Sequence, residues 1–313
     1  MEDMNQTTVT YFIIKGISDV PQFQAPIFIV VLFLYLMTLG GNMTILHLVS
    51  QDPQLHKPMY FFLGNLSVLD MSYITVTLHK VLVTFISGQN TVSYISYIFQ
   101  FYIFASLAGN QLLILTVMSY DRYVAICNPL CYHMTMNHTV CVLLAIFCWV
   151  FSFLERLPYL VILAQYTCYR SNIINHFFCD VIPLLKLTCN DTTLFNIFVY
   201  SEGFFVMVLT PFVLTFISYV FIITAILRIR SSSGRRKAFY TCSSHLTVVI
   251  LLYVSLTCQY MRPSAKDSLD DNKMLSLFNT AVVPLLNPLI YSLKNNDVKS
   301  ALRRKLISSK TLL

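Results

Sequence analysis

The chain has 313 residues, of which 56% are hydrophobic and only 11% charged, with a formal net charge of +7. Soluble domains carry about a quarter charged residues; less than half that share cannot coat a water-facing surface, so the chain reads as an integral membrane protein. The basic excess could suggest a nucleic-acid ligand, but its distribution along the chain, given below, excludes that class.

The first residues, "MEDMNQTTVTYFII", are acidic and polar. They lack the basic and short apolar regions of a cleaved signal peptide, so the first apolar span is expected to act as its own insertion signal. A membrane helix needs about 20 mostly apolar residues. Seven such runs follow, at 26–48, 59–85, 97–120, 140–163, 196–227, 239–261 and 273–292. They are too long and too uniform for the strands of a membrane barrel. The expected fold is therefore all-α, a seven-transmembrane helix bundle over 26–292. An N-terminal segment, 1–25, precedes it, and a tail, 293–313, carries a short amphipathic helix. Connections are short except the one between spans four and five.

Lysine and arginine set the orientation. With the N-terminus outside, the inner segments hold thirteen basic residues against three acids, and the outer ones eight against ten. The N-terminus is thus expected to be extracellular, the C-terminus cytoplasmic, and the basic excess to face the inner leaflet. "NQT" makes Asn5 a plausible glycan acceptor on the outer side.

Polar groups inside spans are expensive and tend to serve function. Span one has Asn42 after Gly40 and Gly41, span two has Asp70, and span seven has Asn279, Asn287, Pro288 and Tyr291. They read either as glue between helices or as a polar core that rearranges when a helix moves. Pro288, which weakens its helix ladder, favours the second reading. Asp121 and Arg122 stand at the inner end of span three. They are either a local ion pair at the interface or a latch released when a cytoplasmic protein offers Arg122 other partners.

On span three, Phe101, Phe104, Ala105, Ala108, Gly109 and Leu112 share one helical face. A ligand beside Ala105 lies about 24 Å from Asp121 along the helix. Matching faces come from Val206 and Met207 in span five, Tyr253, Leu256 and Thr257 in span six, and Thr280 in span seven. Ordinary packing accounts for any one of these; together they suit a small, weakly polar molecule. Glu202, the one acid near this region, reads as half of a surface ion pair with a Lys or Arg in preference to a ligand contact. No metal cluster, phosphate-binding loop or nucleophile constellation marks an enzyme, no cofactor is implied, and a transporter would need more charge within its spans.

The motifs "GN" at 41–42, "PMYFFLGNLSVLD" at 58–70, "MSYDRYVAICNPL" at 118–130, "SY" at 218–219, "KAFYTCSSHLTVV" at 237–249 and "PLLNPLIYSLKNNDVKSAL" at 284–302 resemble vertebrate olfactory receptors of the tetrapod type. These are a branch of the rhodopsin-like G-protein-coupled receptors. The resemblance implies a plasma-membrane receptor in which a small odorant activates a stimulatory heterotrimeric G protein and raises cyclic AMP. A trafficking chaperone is a further expected partner. A receptor for a metabolite outside the olfactory epithelium is the alternative, which sequence does not separate. The resemblance assigns Arg122 to the G protein and Asp121, Tyr123, Tyr219, His245, Asn287, Pro288 and Tyr291 to the switch, and puts Val298, Ala301 and Leu302 against lipid. It also implies a Cys168–Cys189 disulfide. The usual cysteine of span three is replaced by Tyr97, leaving Cys179 as a free thiol or a partner of Cys258; a Tyr97→Cys substitution is then expected to raise surface yield. Gln111, where many relatives have Glu, puts the strength of coupling in question.

Overall fold

A computed structural model describes residues 9–18, 20–260 and 269–310. Seven helices long and apolar enough to cross a membrane form the bundle: α1 (Pro21–Gln51), α2 (Pro58–Ser87), α3 (Tyr94–Cys127), α4 (His138–Ala164), α5 (Thr193–Leu227), α6 (Ser232–Tyr260) and α7 (269–294). They match the seven expected spans and extend most of them by a turn or more. An eighth helix, α8 (Asn296–Lys310), follows a one-residue break at Asn295.

Prolines shape the ladder. Pro211 and Pro284 have no N–H for the carbonyl one turn earlier. The turns just before them widen to the π form, over Val199–Leu209 in α5 and Phe278–Val282 in α7. In α5 the Phe205 carbonyl accepts both the Thr210 backbone N–H, five residues on, and the Thr210 hydroxyl at 2.8 Å. Pro288 likewise gives nothing to the Pro284 carbonyl, and here Asn42 of α1 substitutes: its Nδ2 donates to that oxygen at 3.4 Å. Gly41 makes this approach feasible, because a Cβ there would stand 3.1 Å from the Pro288 ring. The Gly-Asn pair of span one is thus the docking point of α1 on α7.

The outer end carries a cap that the apolar pattern does not reveal. β1 (Tyr11–Ile14) pairs antiparallel with β2 (Thr91–Ser93) and parallel with β3 (Ile173–Ile174) of the long outer loop. Phe12 is fully buried by this pairing, against the rings of Tyr94, Tyr97 and Tyr169. The disulfide Cys168–Cys189 is formed as expected, and Cys179 is a free, buried thiol rather than a partner of the exposed Cys258.

Two expectations need correction. Val298 and Ala301 do not face lipid: both are buried in the core of the bundle, with Leu302 packed beside them. α8 is instead fastened to the inner ends of α1 and α2, by Arg304 to Asp52 at 2.5 Å and by the Tyr60 hydroxyl to Asp297 at 2.9 Å. Second, Lys80, Glu155, Arg156 and Glu202, counted above with the outer segments, lie inside spanning helices.

The cap carries two buried titratable neighbours outside the spans. Burial pushes the Asp180 carboxyl up to about 6 and holds the His176 imidazole down, to about 3. The signs oppose. Asp180 binds its proton more tightly folded than unfolded, so its contribution to stability grows as pH falls from about 6 towards 4; His176 is neutral when folded, so its contribution shrinks as pH falls below about 6.5. Melting of the detergent-solubilised protein at pH 7 and pH 5 separates them. Asp180→Asn is expected to lose stability on acidification, His176→Asn to gain it, relative to the unmodified chain.

Candidate functional site

The inner end of the bundle opens into a cavity of about 1160 Å³, lined by Tyr60, Asp121, Arg122, Tyr132, Arg236 and Tyr240 among others. Arg122 lies on its wall with Nε buried and without a hydrogen-bond partner. Asp121 is buried, and its Oδ1 accepts from the Tyr132 hydroxyl at 2.8 Å. The contact that orients Asp121 thus comes from the inner loop, a partner the ion-pair reading had not included. The volume accommodates about two turns of a helix, given a diameter of roughly 10–12 Å and a pitch of 5.4 Å.

Above the cavity, His245 ties three helices together. Its Nε2 lies 3.1 Å from the Leu115 carbonyl of α3, and its Nδ1 lies 2.7 Å from the Tyr219 hydroxyl of α5. A carbonyl only accepts, so Nε2 carries the hydrogen and Nδ1 accepts from the tyrosine. Tyr219 and His245 also stack, with ring planes 9° apart. Tyr123 packs beside the same small cluster, and Tyr291 is fully buried.

A second polar knot lies in the middle of the bundle. Asp70 is fully buried and accepts from Gln111 Nε2 at 3.0 Å and from Asn287 Nδ2 at 2.9 and 3.1 Å. Gln111 therefore supplies a donor to Asp70. An ionised Glu there would set two carboxylates against each other in a low-dielectric core, so the departure from the resemblance is coherent with its neighbour.

The outer residues separate into two sets. Phe101, Phe104, Gly109, Leu112, Met207 and Thr280 are buried, and Ala105, Ala108, Tyr253 and Leu256 are partly buried against them. Phe104 packs between Tyr73 and Phe178, with ring centroids 5.1 and 4.9 Å away, so the outer loop reaches down onto α3. Val206, 40% exposed, and Thr257, also exposed, turn away from this set and towards the lipid side. At Val206 the widened turn of α5 shifts the phase of the helix, which a strict 3.6-residue reading does not capture. Asn5 lies outside the described residues.

Sequence reasoning missed three features. One is the cap strand β1. Another is the hydroxyl of Tyr97, which donates to the Asp180 carbonyl at 2.6 Å and so joins α3 to the outer loop where a disulfide is missing. The last is a charged group inside the bundle, Glu155, Arg156 and Glu202, whose signal was the "ER" pair within an otherwise apolar run.

Seven helices, an eighth lying along the inner face and an arginine-walled inner cavity define the rhodopsin-like G-protein-coupled receptor fold. Squid rhodopsin shares this fold with a TM-score of 0.70 at 17% identity, over 91% of this chain and 81% of that one. Within that class, a family model described as olfactory receptor matches residues 31–309. Human olfactory receptor 6C1 is 45% identical over 95% of each chain. Mouse olfactory receptor 8U9 is 45% identical over 99% of this chain and 98% of its own. The chain belongs to the olfactory receptor family. It is a multi-pass plasma-membrane receptor rather than an enzyme, and its partners are a small-molecule ligand and a G protein.

Proposed function

We propose that this receptor binds a small, mostly apolar odorant in the outer half of the bundle and activates a stimulatory G protein, raising cyclic AMP. In this reading the N-terminus is extracellular, the C-terminus cytoplasmic, Asn5 glycosylated, and a chaperone assists transport to the surface. The ligand lies against Phe101, Phe104, Ala105, Ala108, Leu112, Met207, Tyr253, Leu256 and Thr280. Movement of α6 passes its effect inwards through the Asp70–Asn287 knot and the His245 clasp, with Asn42 and Pro288 letting α7 bend. The odorant acts by binding the open arrangement more tightly than the closed one. A coupling of about 1–3 kcal/mol corresponds to roughly a 5–150-fold shift.

The observation that carries this reading is the inner cavity, wide enough for a helical end and walled by Arg122. Its test is a cyclic-AMP reporter with a chemically diverse odorant panel. Arg122→Ala is expected to abolish the response, with surface staining retained. A full response from the variant would remove Arg122 from the mechanism.

A further inference from the structure

Glu155 and Arg156 of α4 and Glu202 of α5 lie within spanning helices, and the two carboxylates stand near enough to repel each other when ionised. The side chain of Glu155 is 6% exposed and that of Arg156 15%, and Arg156 Nε lies 2.9 Å from Glu155 Oε2. The guanidinium sits over the Tyr159 ring, 5.0 Å from its centroid. It is wedged between two glycines: a Cβ on Gly203 would stand 3.7 Å from Nη1, and one on Gly109 4.0 Å from Nη2. Pro158 helps to place it here, because α4 is interrupted at Arg156.

One cation faces two carboxylates, so the group carries a net charge of −1 when all three are ionised. Both carboxylate oxygens of Glu155, Oε2 of Glu202 and Nε of Arg156 are buried without a hydrogen bond among the described residues, the 2.9 Å contact between Nε and Oε2 being an ion pair that is not aligned as one. Buried acceptors left unpaired are costly, and ionisable residues within membrane spans mark functional sites. Three unpaired acceptors thus stand against one unpaired donor, so the group is short of donors, and with a net charge of −1 a cationic one suits it best. A carboxylate ligand would meet the excess negative charge, and the guanidinium is already engaged by Glu155. Between α3 and the charges lies the end of Met207, whose Cε would clash with a Cβ on Gly109 at 2.5 Å. Met is unbranched and flexible, so its withdrawal opens the gap beside Gly109.

We propose that Glu155 and Glu202 form an ammonium subsite, and that ligands of this receptor include small amines. The protonated nitrogen donates to the two carboxylates, while the apolar body lies along Ala105 and Ala108 of α3. No acid stands near Phe104 on α3 to hold an amine; here the acids come from α4 and α5. The proposal rests on the odorant-receptor reading and narrows its ligand class.

The test is thermal unfolding of the purified full-length receptor at pH 7 with n-hexylamine, 1-hexanol or hexanoate, alongside the reporter assay. Hexylamine is expected to raise the melting temperature more than the alcohol or the acid does. Glu202→Gln, and Glu155→Gln where it folds, are expected to remove that excess and leave the alcohol's effect unchanged. In cells, the amine is expected to act at least tenfold more potently than the alcohol, a preference lost in Glu202→Gln. Equal effects of amine and alcohol, or an amine preference that survives Glu202→Gln, would overturn the subsite. A reporter response to neutral odorants alone would also overturn it, while leaving the odorant-receptor reading standing.

Discussion

Tyr97→Ala is expected to destabilise the receptor by about 3–5 kcal/mol, the usual cost of emptying a large buried aromatic site, and to remove most of it from the cell surface. Tyr97 is fully buried. Its ring packs on Phe12 of the cap at 5.1 Å, and its hydroxyl donates to the Asp180 carbonyl at 2.6 Å. The residue therefore holds α3, the N-terminal strand and the outer loop together. Since a domain's whole margin is about 5–15 kcal/mol, this one truncation takes a large part of it. Tyr97→Phe keeps the ring and is expected to lose only about 1 kcal/mol. Melting temperature and surface immunostaining should rank the unmodified chain first, Phe second and Ala last. A surface level for Ala equal to the unmodified chain would mean that the cap is held elsewhere. Tyr97→Cys, which looks restorative in the sequence, now pits a disulfide worth about 2–4 kcal/mol against the cavity left by the ring. The two nearly cancel, so no gain in yield is expected.

The seven spans were legible because a lipid-facing helix must be apolar over its whole length, and that is a property of composition. The residues proposed for the inner switch could be nominated from sequence because they stand in short motifs: Arg122 next to Asp121, and Asn287, Pro288 and Tyr291 within five residues. What could not be read depends on groups meeting across the bundle. Asn42 is polar in any reading, but its match to the orphaned Pro284 carbonyl appears only when α1 lies against α7. α8 looked lipid-facing because its apolar residues recur at helical spacing; the same spacing serves equally well to dock it on the bundle. Four residues of β1 are too few for alternation to stand out, and their partners lie in two distant loops. Glu155 and Arg156 count with the outer segments in a charge tally, because they stand near the outer end of span four. Their burial follows from the glycines of α3 and α5 that make room for the guanidinium.

After Arg122→Ala, the His245 clasp gives the largest expected effect on signalling that spares folding. It coexists with an inner cavity of about 1160 Å³ around Arg122, so under the proposed mechanism it belongs to the arrangement that receives the G protein. Removing it should disfavour that arrangement. His245→Ala deletes both bonds of the ring, to Tyr219 and to the Leu115 carbonyl. At about 0.5–1.5 kcal/mol for each bond, this is about 1–3 kcal/mol, or a 5–150-fold loss of potency. Tyr219→Phe deletes only the hydroxyl bond and should cost about tenfold or less. The two act through one contact, so the double variant should be little worse than His245→Ala alone, in contrast to independent sites, whose effects add. Concentration–response curves for the four receptors, normalised to surface level, measure this cycle. An additive double variant would separate Tyr219 from His245 and leave the stacked pair as packing. A rise in basal signalling in either single variant would reverse the assignment, because the clasp would then hold the resting state closed. With the expected loss and non-additivity, the histidine becomes the joint through which α3 and α5 hold α6 in place while the G protein is bound.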